Sequence, residues 1–225
     1  MDTLLIIFAK EPVPGQVKTR LCPPLNPEEA AELYRCFLAD VLEEMQRLSD
    51  VALALAYTPV DARPFFQELV PPEVRLVPQS GADLGERLSA ACHWALSSGF
   101  RAVMIRNSDS PDLPGELVRQ AGDLLRTGQT QVVLGPAPDG GYYLVGLAVP
   151  PGNLFQGIAW STATVLDETL SRIRGRGLAL HLLPPWADID GFSDLQRFAE
   201  RSLVPGQPGW RSHRQARELL KITST

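Results

Sequence analysis

The densest group of residues able to do chemistry in this chain is Asn107-Ser108-Asp109-Ser110-Pro111-Asp112-Leu113-Pro114, which follows the apolar run Ala102-Val103-Met104-Ile105. A buried strand that ends in two acids and a proline sets hard oxygen ligands at the carboxyl edge of a sheet, where open α/β folds bind ligands. Asp109 and Asp112 stand three apart across a tight turn. One can therefore hold a divalent cation, Mg²⁺ or Mn²⁺, while the other orients a water, a substrate hydroxyl or the loop. Pro114 opens a helix, so Ser110 or Asp112 also suits a cap; Asp112 reads as the cap and Asp109 as the metal ligand.

Cations follow the first apolar run. In Ala9-Lys10-Glu11-Pro12-Val13-Pro14-Gly15-Gln16-Val17-Lys18-Thr19-Arg20-Leu21, prolines and a glycine restrict the loop. Lys10, Lys18 and Arg20, with free backbone amides from Ala9 to Gly15, can then gather around a phosphate chain. A P-loop is excluded, because aligning its pattern on Gly15 demands glycine at Lys10 and lysine at Gln16. Asp188-Ile189-Asp190 is a third acidic segment, and alternation in an extended chain points Asp188 and Asp190 the same way, as further metal ligands. Asp194 reads as first-turn electrostatics for the next helix.

Three more segments add to the list. Gly140 and Gly141 let backbone approach a ligand closely, with Asp139 at the rim of the cleft and the least poor candidate for a general base, although Asp-Gly-Gly also makes a hairpin turn. Arg87 can reach a phosphate or base edge, or pair with Asp83. Trp160-Ser161-Thr162 can set an indole and a hydroxyl against an acceptor, with Ser161 as an N-cap. His93, His181 and His213 are isolated, which supports neither a zinc site nor a Ser-His-Asp triad.

These residues need a scaffold that brings loops together, and apolar periodicity supplies one. Strands are predicted over Thr3 to Phe8, Val51 to Tyr57, Val74 to Val77, Ala102 to Arg106, Gln131 to Leu134, Tyr142 to Leu147 and Leu178 to Leu182. Helices are predicted from about Pro27 to Leu48, Leu84 to Ser97, Glu116 to Thr127, Thr162 to Arg174 and Ser193 to Arg201. The first is the clearest: Pro27 follows Asn26, Glu28 and Glu29 sit at its positive end, and Ala30, Leu33, Phe37, Val41 and Met45 share a face. Such alternation implies a three-layer α/β/α domain with a mainly parallel, mixed sheet, Tyr142 to Leu147 being a possible antiparallel excursion. One domain is expected over 1–204, and 205–225 reads as a linker and a short basic helix from Arg211 to Lys221.

The 225 residues are 44% hydrophobic and 21% charged, ordinary for one globular domain. A formal charge of −5 argues against a nucleic-acid binder with a broad basic surface but leaves room for small anionic substrates. Cys22, Cys36 and Cys92 match no metal-ligand spacing and read as reduced thiols. With an amino-terminal apolar run too short to span a bilayer and without the basic n-region of a signal peptide, a cytoplasmic enzyme is expected.

In this order the segments Phe8 to Pro12, Lys18 to Leu21, Gly81 to Leu88, Ser108 to Pro114, Gly135 to Leu144, Trp160 to Thr162 and Asp188 to Asp190 resemble the nucleotide-diphospho-sugar transferase superfamily of GT-A fold. Within it they look like a bacterial glycosyltransferase-like subfamily associated with arsenosugar biosynthesis, with the 2-phospholactate and molybdenum cofactor guanylyltransferases as distant relatives. The resemblance covers roughly residues 3 to 200. It implies that Lys10, Gly15, Lys18 and Arg20 hold nucleotide phosphates, that Asp109 and Asp190 bind the metal, and that Asp139, Gly140 and Gly141 line the nucleotide or donor-sugar pocket. Where relatives usually have glycine two residues before the metal aspartate, this chain has Asn107, whose side chain narrows or alters the pocket; Arg106 is also unusual at the end of a buried strand. The implied reaction is metal-dependent sugar transfer from a nucleotide sugar to a small-molecule acceptor. Nucleotidyl transfer from a nucleoside triphosphate to a phosphate or carboxylate is the alternative, and nucleotide binding without turnover is a third.

Overall fold

A computed structural model of the chain describes residues 1–222. Among them, strands β1 (Thr3–Lys10), β2 (Ala52–Thr58), β3 (Arg75–Pro78), β4 (Ala102–Arg106), β5 (Val132–Pro136), β6 (Tyr142–Leu147) and β7 (Leu180–Leu182) form one sheet in the order β3-β2-β1-β4-β6-β5-β7. Pairing is parallel except around β6, which runs antiparallel to both β4 and β5. The helices are α1 (Pro27–Gln46), α2 (Arg63–Leu69), α3 (Leu84–Ser97), α4 (Gly115–Arg126), α5 (Val165–Gly175), α6 (Phe192–Ala199) and α7 (Trp210–Leu219). The expected three-layer α/β/α architecture with a mostly parallel sheet is present.

Central strands read as unbroken apolar runs because helices cover both faces. Leu5, Ile7 and Met104 pack with residues of α1, α4, α6 and α7, while Leu4, Ile6, Val103 and Ile105 pack with residues of α3 and α5. In α1, Leu33, Phe37, Leu38 and Val41 are fully buried, each such side chain contributing roughly 1.5–3 kcal/mol. Its start is a capping box: the Glu29 amide donates to Asn26 Oδ1 at 2.8 Å and the Asn26 amide to Glu29 Oε2 at 2.9 Å. β1 and β4 lie side by side where the winding of the sheet reverses, so the loops after them open into one crevice.

Several boundaries differ from expectation. Ser161 is no N-cap; it has φ +65°, and α5 starts at Val165 behind Thr164. Asp112 does not cap α4 either, because Glu44 Oε1 of α1 accepts from the Gly115 amide at 2.9 Å. Helix α2, unforeseen, is itself a short polar and aromatic stretch whose buried residue is Phe66. Of the segment expected over 205–225 as a linker and basic helix, α7 is present and docked, Asp40 Oδ2 of α1 accepting from the amide (2.7 Å) and hydroxyl (2.6 Å) of Ser212, while 223–225 lie outside the described residues.

The β5–β6 turn shows why two glycines stand together. Gly140 has φ +91°, and a Cβ there would lie 2.1 Å from the Ala163 carbonyl oxygen, while its own carbonyl accepts from the Leu166 amide at 2.8 Å. Its missing side chain makes room for the chain that leads into α5. Gly140→Ala is expected to destabilise the fold by roughly 1–3 kcal/mol through backbone strain, measured by chemical denaturation; an unchanged midpoint would contradict this close packing.

Candidate active site

The loop after β1 folds back on itself. The Lys10 ammonium donates to the Gln16 carbonyl at 2.8 Å, and buried Val17 and Leu21 anchor the far end. Lys18 takes a left-handed conformation (φ +48°) at the start of a single 3-10 turn, Thr19–Leu21. Few residues other than glycine adopt it, and the conformation persists where surroundings over-determine it. Here those surroundings are acidic: Lys18 Nζ lies 2.5 Å from Asp109 Oδ1 and 3.0 Å from Asp190 Oδ1 and donates to the Ile189 carbonyl at 2.7 Å. Burial alone would lower the Lys18 pKa, but the charges of Asp109 and Asp190 more than reverse this, so the ammonium stays protonated.

Thus Asp109, after β4, and Asp190, before α6, converge on one point although they are far apart in sequence. A backbone bond from the Ile189 amide to the Asp109 carbonyl, at 2.9 Å, ties the two segments together. Their side chains remain 33% and 41% exposed, enough to meet a ligand. This donor set suits Mg²⁺ or Mn²⁺, which commonly take one or two protein carboxylates and complete the shell with water and substrate phosphate. Asp188 does not join it, contrary to the alternation argument. Asp188 Oδ2 accepts from Asn107 Nδ2 at 2.9 Å and Oδ1 from Ser110 Oγ at 2.5 Å, and among the described residues no three acidic, histidine or cysteine side chains are grouped to hold a metal. Burial and the charge of Asp109 raise the Asp188 carboxyl to about 6.

Behind this turn lies Arg106, 1% exposed. Its Nε donates to the Asn107 carbonyl at 2.9 Å and its Nη2 to the Ser110 carbonyl at 2.7 Å, while Nη1 has no partner. Burial lowers its pKa to about 10, opposed by the charges of Asp188, Asp112, Asp109 and Glu44, so it stays a cation at neutral pH. Asn107 is equally committed: its Oδ1 accepts from the Asp109 amide and Ser110 Oγ, each at 3.3 Å. The side chain expected to crowd a pocket thus braces the Asp109 turn. Asp112 accepts from Trp186 Nε1 at 3.1 Å and from Arg201, and does not line the cleft that holds Lys18.

Two neighbouring clefts meet at Lys10, Tyr34 and Asp109. One, of about 300 Å³, is lined by Lys10, Gln16, Lys18, Arg20, Tyr34, Asp109 and Asp190. The other, of about 320 Å³ and more apolar, is lined among others by Phe8, Ala9, Gln79, Arg87, Leu88, Asn107, Tyr142 and Tyr143. Together they offer a charged compartment beside an aromatic one, in the size range of small-molecule sites. Arg87 is not paired with Asp83, which caps α3 through the Glu86 amide at 2.8 Å; its Nε donates to the Gly81 carbonyl at 3.1 Å and its Nη1 approaches Gln79 Oε1 at 3.4 Å.

Other expected residues fall elsewhere. Asp139 is exposed, accepts from the Gly141 amide at 3.0 Å and lines neither cleft, so its geometry is that of a turn residue rather than a general base. Gly140 and Gly141 also lie outside the clefts. Trp160 packs edge-on against Tyr142, ring centroids 6.5 Å apart, while exposed Ser161 and Thr162 line neither cleft. Gly15, at φ +76°, is an exposed turn residue. Conversely, the sequence reading missed Tyr34 and Gln79. Tyr34 Oη pairs with Ser108 Oγ at 2.6 Å and accepts from the Lys10 amide at 3.2 Å, and burial with the nearby Asp109 charge raises its pKa to about 12. The signal was a phenol on the otherwise apolar face of α1. Gln79 Nε2 donates to the carbonyls of Ala9 and Ala56, joining the ends of β1 and β2.

Residues 41–162, more than half of the chain, match the family described as "uncharacterized protein conserved in bacteria", DUF2064. The chain belongs to this family. It is also similar to a candidate nucleotide-diphospho-sugar transferase from Desulfovibrio desulfuricans G20, with 34% identity over 98% of this chain and 96% of that one and a TM-score of 0.89. The fold recurs at much lower identity. A cytidylyltransferase from Leptospira borgpetersenii serovar Hardjo-bovis (strain JB197) matches at 13% identity, covering 98% of this chain and 94% of that one, TM-score 0.60. A CMP:2-keto-3-deoxy-manno-octonic acid synthetase complexed with CTP matches at 11%, covering 88% and 96%, TM-score 0.57. This DUF2064 member thus has the fold of the nucleotide-diphospho-sugar transferases; no curated protein matches its sequence. No described helix is long and apolar enough to cross a membrane.

Proposed function

We infer that this chain is a cytoplasmic transferase that moves a sugar from a nucleotide-diphospho-sugar to a small-molecule acceptor, in the glycosyltransferase-like branch linked to arsenosugar biosynthesis. The observation that carries the reading is the meeting of Asp109 and Asp190 beside the cationic loop after β1. These carboxylates would hold Mg²⁺ or Mn²⁺, whose chemistry is to neutralise charge on the departing diphosphate. Lys10, Lys18 and Arg20 line the same cleft and would orient the phosphates, while the aromatic cleft beside Gln79 and Arg87 would take the nucleoside. Asn107, Arg106 and Tyr34 brace the turn that presents Asp109, so the chain acts by positioning and by preset charge. Catalysis of this kind needs no protein nucleophile.

Nucleotidyl transfer uses the same cleft, and the cytidylyltransferase and CTP-bound synthetase among the fold relatives favour keeping it as the second reading. The two differ in what leaves. With manganese and a panel of nucleotide sugars, nucleoside triphosphates and acceptors, sugar transfer releases a nucleoside diphosphate and nucleotidyl transfer releases pyrophosphate. The first product is expected. Pyrophosphate would select the second reading, and no thermal stabilisation by any nucleotide would contradict both.

A further inference from the structure

An ammonium has three N–H donors, and Lys18 has three acceptors around it: Asp109 Oδ1 at 2.5 Å, Asp190 Oδ1 at 3.0 Å and the Ile189 carbonyl at 2.7 Å. Its side chain is 5% exposed, and Nζ sits 5.5 Å from the centre of the Phe37 ring. The lysine therefore stands where the two metal-binding carboxylates converge. A divalent cation reaching oxygens of both must either crowd a like charge, which is costly at such distances, or displace it. A displaced Lys18 retains the Ile189 carbonyl and the Phe37 face, and a buried cation stripped of its counter-ions is unfavourable. The charge count says the same: two carboxylates and one ammonium carry −1, and an added divalent cation turns this to +1. An anion must follow. The adjoining cleft, with Lys10 and Arg20 on its walls, opens on Lys18 and is where a diphosphate would arrive.

We propose that Lys18 is a resident counter-ion that makes divalent cation and diphosphate binding mutually dependent: the metal takes Asp109 and Asp190 as the diphosphate takes over the ammonium. The idea rests on the metal-dependent reading above and extends it to the order of loading. Neither ligand alone fills the site well, and linkage requires each to tighten the other by the same factor.

The test is a manganese titration of the native protein followed by electron paramagnetic resonance of free Mn²⁺, alone and with UDP, the Mn²⁺–UDP complex being titrated separately. The native chain is expected to bind manganese weakly alone and at least about tenfold more tightly with UDP, a coupling of ordinary allosteric size. In Lys18→Gln, manganese alone should bind about tenfold more tightly than to the native chain, and the gain from UDP should shrink. Should the variant fail to fold by circular dichroism, the native coupling decides alone. Tight manganese binding to the native chain without UDP, or a Lys18→Gln affinity equal to or below the native one, would overturn the proposal while leaving the metal site standing. Absence of manganese binding under every condition would overturn both.

Discussion

Asp109→Asn is expected to lower turnover by roughly 10²–10³-fold, the loss that follows removal of a preset electrostatic group from a reacting centre. Asparagine keeps the shape of the side chain and discards its charge. Lys18 would lose its nearest counter-ion and the cation site half of its carboxylates. Stability should fall as well, because Lys18, 5% exposed, keeps only Asp190 as a counter-ion, although Asn107 and Arg106 still hold the turn. Steady-state kinetics with a melting curve separates the two effects. Asp139→Asn is the control: that carboxylate lines neither cleft, and turnover should stay near the native rate. Full activity in Asp109→Asn would remove the acidic pair from the account.

Arg106→Met should be the most destabilising of the changes considered. The guanidinium is 1% exposed and is the buried cation facing Asp188, Asp112, Asp109 and Glu44. Asp109, Asp112 and Glu44 keep Lys18, Arg201 and Arg47, but the half-buried Asp188 would lose the cation it faces, and breaking up a buried charge cluster of this kind typically costs about 3–5 kcal/mol. For a chain of this size that corresponds to a fall in melting temperature on the order of ten degrees. The Asn107 carbonyl would lose its Arg106 donor as well, and the Ser110 carbonyl would keep only the Leu113 amide, at 3.3 Å. Arg106→Lys should recover little, since one ammonium cannot reproduce the planar fork that reaches both. A methionine variant within about 1 kcal/mol of the native protein, typical of a site without such a role, would show that the buried cation is dispensable.

Much of this architecture is legible in the amino-acid sequence. Apolar runs such as Leu4 to Phe8 and Val103 to Ile105 mark strands covered on both faces, and Asn26-Pro27-Glu28-Glu29 marks the start of α1, because these signals are local. Polar side chains at the site were read less well, for a physical reason: a run of burial locates a strand, but the partner of a carboxylate is chosen by chain that arrives from elsewhere. Asp112 has the spacing of a cap and is claimed by Trp186 and Arg201. Asp188 and Asp190 would face together in a regular strand, yet the segment is irregular, and Asp188 is drawn to Asn107 and Ser110. The left-handed Lys18 has no sequence signature, since its conformation is imposed by Asp109 and Asp190. Asn107 looked like an intrusion and is a brace.

The most direct measurement is a crystal structure of the native protein with manganese and the nucleotide that binds it most tightly. The account predicts an anomalous peak about 2.1 Å from carboxylate oxygens of both Asp109 and Asp190, with the diphosphate against Lys10, Lys18 and Arg20. Manganese bound away from this pair, or a nucleotide seated outside the crevice at the ends of β1 and β4, would contradict it.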